Sequence, residues 1–116
     1  VMGGAKSFDR IWRTEGVNWW REEIPSAAEM EYGLNTLAAH DNKVDYIVTH
    51  TIPQKLIESV LGVGYKSEPT QSYLDIVYDR TQFKKWFCGH LHRDLTDVDY
   101  NIHVLYNTIT KVGAYC

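Results

Sequence analysis

Apolar residues along this chain recur first at helical spacing and then in short continuous runs. Met30, Leu34, Leu37 and Ala38 form a stripe at helical period. Just ahead of it, Ser26 and Glu29 have the spacing of a capping box, so a helix is predicted from Ser26 to about His40. Asp41-Asn42-Lys43 reads as a turn, and the β-rich run Val44 to Thr49 reads as a buried strand. Pro53 suits the first turn of a second helix through Leu56, Ile57, Val60 and Leu61, which Gly62 ends. Gly62 to Gln71 is polar and reads as a loop. Leu74, Ile76, Val77, Tyr78 and Phe83 place a third helix over Ser72 to Lys84, followed by a strand at Trp86-Phe87-Cys88. Tyr100 to Tyr106 alternates as a last strand, with Ile102 and Val104 on the face opposite His103.

The order of these elements predicts an α/β fold in which strands alternate with helices. Roughly 35 residues connect the first strand to the second, enough for the crossover that parallel strands require. Val1 to Ala5 reads as the end of a strand entering a glycine turn, so residues 1–116 are expected to form one domain or part of one. Ser7 to Arg13 and Val17 to Glu23 mix aromatics with both charge signs and read as a loop with short helical turns. No repeat, low-complexity tract or interdomain linker stands out.

The apolar content of 44% and the charged content of 23% are those of a globular chain. No apolar run reaches the roughly 20 residues that a membrane-spanning helix needs, so no membrane partner is expected. A net charge of −3 carries no general footprint for nucleic acid or nucleotide, and a phosphate-bearing substrate would need a local site. Of the two cysteines, Cys88 lies within an apolar strand and Cys116 is the last residue, which fits a reducing cytoplasm better than a disulfide scaffold.

The candidate chemistry sits at two strand ends. In Trp86-Phe87-Cys88-Gly89-His90-Leu91-His92 the strand stops at glycine and then presents two imidazoles. In extended backbone they would face the same way, roughly 6–7 Å apart, with Leu91 turned away. That spacing suits two ions about 3.5–4 Å apart better than one. Gly89 would allow close backbone approach or a positive φ. Val48-Thr49-His50 supplies a third imidazole at the other strand end, and in α/β sheets ligands bind at the carboxyl ends of the strands. The bland alternatives are incidental loop histidines at 90 and 92 and a merely hydrogen-bonded one at 50. His40 reads as a helix C-terminal residue favoured by the dipole, and His103 as a residue on a polar strand face.

Thr49-His50 after an apolar strand, followed by Gly89-His90-Leu91-His92, resembles the last two signature motifs of the calcineurin-like metallophosphoesterase superfamily. Gly3-Gly4-Ala5, Ser7, Asp9-Arg10, Trp19-Trp20 and Glu23-Ile24-Pro25 look like the insertion that precedes the histidine strand in some bacterial and phage-related members. The resemblance implies the C-terminal half of a metallophosphoesterase-type α/β sandwich. It implies two divalent metal ions (Mn, Fe, Zn or Ni), with His50 and His90 on one and His92 on the other, as metal and catalytic residues. The substrate implied is a phosphate mono- or diester, cleaved by in-line attack of a metal-activated water. The family's Asp-x-His, Gly-Asp-x-x-Asp and Gly-Asn-His-Asp/Glu motifs do not occur in the chain. The isolated stretch is therefore expected to bind metal weakly and to be inactive until an N-terminal half or a partner completes the centre.

Around that site Arg10, Arg13 or Arg93 could contact phosphate, although each alone reads as solvated charge. Glu22-Glu23 reads as a solvated face, Asp94, Asp97 and Asp99 as turn residues, and Trp19-Trp20 as loop packing. Two rival readings stand beside the phosphoesterase. One is a mononuclear zinc hydrolase built on the three histidines with Asp94 nearby. The other is a non-catalytic interaction module that keeps the fold.

Overall fold

A computed structural model gives the fold and describes residues 1–4, 14–17, 21–61 and 68–112. The elements run α1 (Ala27–Ala39), β1 (Tyr46–Val48), α2 (Gln54–Leu61), α3 (Pro69–Arg80), β2 (Lys85–Cys88), β3 (Leu95–Asp97) and β4 (Ile102–Val104). They form a small mixed α/β domain around one sheet, in the order β1-β2-β4-β3. β1, β2 and β4 are parallel and β3 is antiparallel to β4. Met2 extends the β1 edge through a parallel bridge to Thr49, which agrees with a strand end at the start of the chain. The glycine turn that follows is compulsory. Gly4 has φ +101°, and a Cβ there would stand 2.7 Å from the Glu23 carbonyl oxygen.

α1 starts where its cap predicts. The Glu29 N–H donates to Ser26 Oγ (3.1 Å) and the Ser26 N–H donates to Glu29 Oε1 (3.2 Å). His40 is its C-cap. Met30, Leu34 and Leu37 lie partly buried against the core, but Ala38 is exposed, so the stripe is narrower than its sequence implies. β1 is shorter than Val44–Thr49, and Val48 lies partly in solvent while Ile47 and Thr49 are buried. Pro53 immediately precedes α2, its carbonyl accepting from the Leu56 and Ile57 amides. Val60, Leu61 and the predicted stop at Gly62 lie outside the residues whose side chains are described.

α3 departs most from the sequence reading. It begins inside the predicted loop because the Glu68 carboxylate accepts from the Thr70 and Gln71 amides (3.1 and 3.2 Å) and Pro69 fits the first turn. It ends before Lys84 because Thr81 turns extended and Gln82 pairs with Lys43 instead. The alternation of strands and helices also fails after β2. Leu95-Thr96-Asp97, which includes the expected turn residue Asp97, is an edge strand, and β3 and β4 follow with no helix between them.

The core centres on Trp86, Ile52, Leu56, Leu74, Ile102 and Val104, all at most 2% exposed. Burying each large apolar side chain contributes about 1.5–3 kcal/mol. Tyr78 and Phe83 pack on Trp86 in tilted and edge-on contacts, Tyr100 packs edge-on against Tyr78, and the Tyr78 hydroxyl donates to the Tyr100 carbonyl (2.9 Å). Lys55 ties α2 to α3 through the Asp79 carboxylate. Cys88 is buried, which pushes its thiol up to about 12. Among the described residues no helix is long and apolar enough to cross a membrane.

Candidate metal centre

The sheet brings the carboxyl ends of β1 and β2 level, because their register pairs Val48 with Phe87. Beyond that pair the Thr49 N–H donates to the Phe87 carbonyl (3.0 Å) and the Gly89 N–H to the His50 carbonyl (2.8 Å). On its other side the His50 N–H donates to the Met2 carbonyl (3.2 Å), so the backbone of His50 is held from both flanks. Below it, the indole Nε1 of buried Trp86 donates to Thr49 Oγ1 (2.9 Å), which itself donates to the Thr51 carbonyl (2.7 Å). The exposed His50 ring thus stands on a backbone fixed by buried hydrogen bonds.

His50 and His90 meet. His50 Nε2 lies 3.1 Å from His90 Nδ1, with the ring centroids 5.0 Å apart and the planes at 71°. Burial lowers the His90 pKa to about 4, aided by the charges of His50 and His92 and opposed by Glu23. His90 is therefore neutral at pH 7, the form that offers a lone pair to an ion. Two nitrogens bound at 2.0–2.1 Å to one tetrahedral ion stand about 3.3 Å apart, close to the separation found here. The separation matches two positions of one ion's shell, and in the metal-free arrangement one of the two ring nitrogens donates to the other.

His92 is placed differently. The extended geometry expected for His90 and His92 is not what forms, since both lie beyond the end of β2 with φ of 72° and 53°. The Leu91 N–H donates to the Gly89 carbonyl (2.9 Å), closing a three-residue turn around His90. A positive φ in such a turn is the rare, strained form. Gly89 itself has no positive φ, and a Cβ there would meet the His50 and Leu105 carbonyls at ordinary contact distance. The strain falls on the histidines, at about 1–3 kcal/mol for each non-glycine residue so held. His92 stacks on Tyr106, with centroids 5.2 Å apart and planes at 22°. Among the described residues no three His, Cys, Asp or Glu side chains stand together as one ion's ligands.

The remaining candidates separate clearly. Asp94 accepts from three successive backbone amides, Tyr106 (2.8 Å), Asn107 (3.2 Å) and Thr108 (3.2 Å), and so closes a loop rather than merely solvating a turn. The Tyr106 amide, first among those donors, holds its carboxyl below the usual carboxylate range. Asp97 accepts from the Tyr100 amide (3.0 Å), and Asp99 is exposed. Arg93 is exposed on the histidine loop. Glu22 is exposed as expected, but Glu23 is half-buried and its charge reaches His90, so it is not a purely solvated residue. His103 does not lie on a polar face. It is buried, stacked on Phe87 (5.3 Å, 24°) and within 3.2 Å of Thr96 Oγ1, and burial lowers its pKa. Ser7, Asp9, Arg10, Arg13, Trp19, Trp20 and Cys116 lie outside the described residues. Sequence reasoning missed the supports, Trp86 with Thr49 and Asp94 with Tyr106. An aspartate just past a histidine pair was the one available signal, and nothing local marks Tyr106.

Comparison of the chain with protein-family models, with curated proteins and with solved structures returns no match. The functional reading accordingly rests on the residues and their geometry.

Proposed function

We propose that this chain contributes the C-terminal histidine ligands of a dinuclear centre that hydrolyses phosphate mono- or diesters, within a metallophosphoesterase-type α/β sandwich. The observation that carries the reading is the 3.1 Å approach of His50 Nε2 to His90 Nδ1 from neighbouring parallel strand ends. Rings converging on rigid backbone, one of them kept neutral by burial, are what a ligand pair requires. In this reading His50 and His90 share one ion and His92 serves its neighbour. The bridging carboxylate and the remaining ligands come from an N-terminal half or a partner.

When bound, a pair of divalent cations (Mn, Fe, Zn or Ni) supplies Lewis acidity toward a phosphoryl oxygen and toward the attacking water. In this reading the sheet fixes the backbone beneath His50 and the tight turn fixes that of His90, so the proton shared by the two rings gives way to an ion with little main-chain movement. Arg93, exposed on the same loop, offers a bidentate contact to the ester's free oxygens. The mononuclear zinc alternative is less well supported, because the Asp94 carboxylate is already engaged by three amides.

The test is manganese-dependent cleavage of a nitrophenyl phosphate ester by protein carrying both halves of the centre. His90→Ala is expected to abolish turnover while the thermal unfolding midpoint stays near that of the parent. Unchanged turnover in that variant refutes the assignment.

A further inference from the structure

We infer that Asp94 and Tyr106 are positioning residues for His92, forming a clamp that aims its imidazole. This rests on the reading of His92 as a metal ligand. His92 sits on an irregular loop past the end of β2 with φ 53°, and it lacks the ladder bonds that hold His50. Its ring stacks on the face of Tyr106, 5.2 Å between centroids. Tyr106 is itself 57% exposed, so the core does not hold it in place.

Asp94 supplies what the core does not. It lies two residues after His92, immediately before β3, and the register pairing Leu95 with Val104 brings it opposite the chain leaving β4. Oδ1 accepts from the Tyr106 amide (2.8 Å) and the Thr108 amide (3.2 Å), and Oδ2 accepts from the Asn107 amide (3.2 Å). Charge-assisted bonds of this kind are about twice as strong as neutral ones. One carboxylate therefore joins the loop carrying His92 to the loop carrying Tyr106. With the stack in place the imidazole loses rotational freedom before any ion arrives, so less order remains to be imposed on binding. The arrangement matches the general pattern in which outer residues orient a ligand ring and their loss weakens metal binding.

The experiment uses the full chain and follows the histidine ring resonances by NMR while zinc is titrated. In the parent the His92 ring protons are expected upfield of their free position, under the Tyr106 ring current. Asp94→Ala and Tyr106→Leu should both remove that shift and weaken zinc binding, read at the His92 resonances, by about 10–100-fold. Tyr106→Phe should keep both, because the face is retained. Both side chains are exposed, and unchanged backbone amide shifts at β1 and β2 verify folding. If either substitution fails to fold, the other reads the same two quantities. Unchanged His92 shifts and unchanged zinc affinity in Asp94→Ala or Tyr106→Leu overturn the clamp. Zinc that shifts the His50 and His90 resonances at saturation but leaves those of His92 unmoved in the parent overturns the ligand reading itself, a different failure from loss of the clamp.

Discussion

α1 and α3 are nearly equal in length and both carry good caps, yet they sit in the molecule very differently. α1 spans 13 residues behind a complete capping box, and none of its residues is buried. α3 spans 12 residues behind the Glu68 cap and buries Thr70, Gln71, Tyr73, Leu74 and Val77. A cap is a local transaction between a side chain and the first free amides, so the two helices score alike on it. Burial depends on what the rest of the chain places opposite. For α1 that is a groove of about 690 Å³ lined by residues of α1, β1 and α3 and by the stretch from Val1 to Gly4. Good local signals therefore identify a helix without saying how firmly it is held.

The comparison can be broken by core substitutions. Leu74→Ala should cost about 2–5 kcal/mol, as buried leucines do, whereas Leu34→Ala on half-buried α1 should cost about 1 kcal/mol. Denaturant unfolding of the two variants measures both. Equal losses would mean that α1 is packed in solution as tightly as α3. Caps sharpen the contrast from the other side. Ser26→Ala and Glu68→Ala should each cost about 1 kcal/mol, and a large inequality between them would show that the two N-termini are not alike.

A pH-dependent effect belongs to two histidines, one in the sheet and one just beyond it. His90 and His103 both have folded pKa values below the usual imidazole value of 6.5, through burial first in each case. Below pH 6.5 the unfolded chain binds more protons at these sites than the folded one, so stability rises with pH there. Their contribution is complete above 6.5 and is lost as pH falls below it, for His90 down to about 4. Thermal midpoints should decline over that window and decline less in His103→Phe. An identical decline in that variant removes His103 from the account.

Much of the fold was legible because its signals were local. Ser26 with Glu29 marked the start of α1, and the apolar run before His50 and the one before Gly89 marked the two strands whose parallel pairing brings His50 to His90. What was not legible depends on residues far apart in the chain. The α3 boundary turned on Glu68 acting as a cap within a polar stretch and on Gln82 finding Lys43 across the sheet. β3 was missed because Leu95-Thr96-Asp97 is short, polar at its centre and stabilised only as the partner of β4. The burial of His103 needed Phe87 beneath it. At the site, the meeting of His50 with His90 follows from register once the strands are paired. The left-handed turn that replaces extended backbone at His90 and His92 follows from nothing in those residues' own preferences.

The central claim is that the rings of His50 and His90 act as one ligand pair. A double-mutant cycle on zinc affinity, measured by calorimetric titration of the full chain, tests it most directly. His50→Ala and His90→Ala should each weaken binding by about 10-fold or more, and the double variant should be little weaker than either alone. Affinity untouched by either substitution, or losses that simply add, would mean that the two rings do not share an ion.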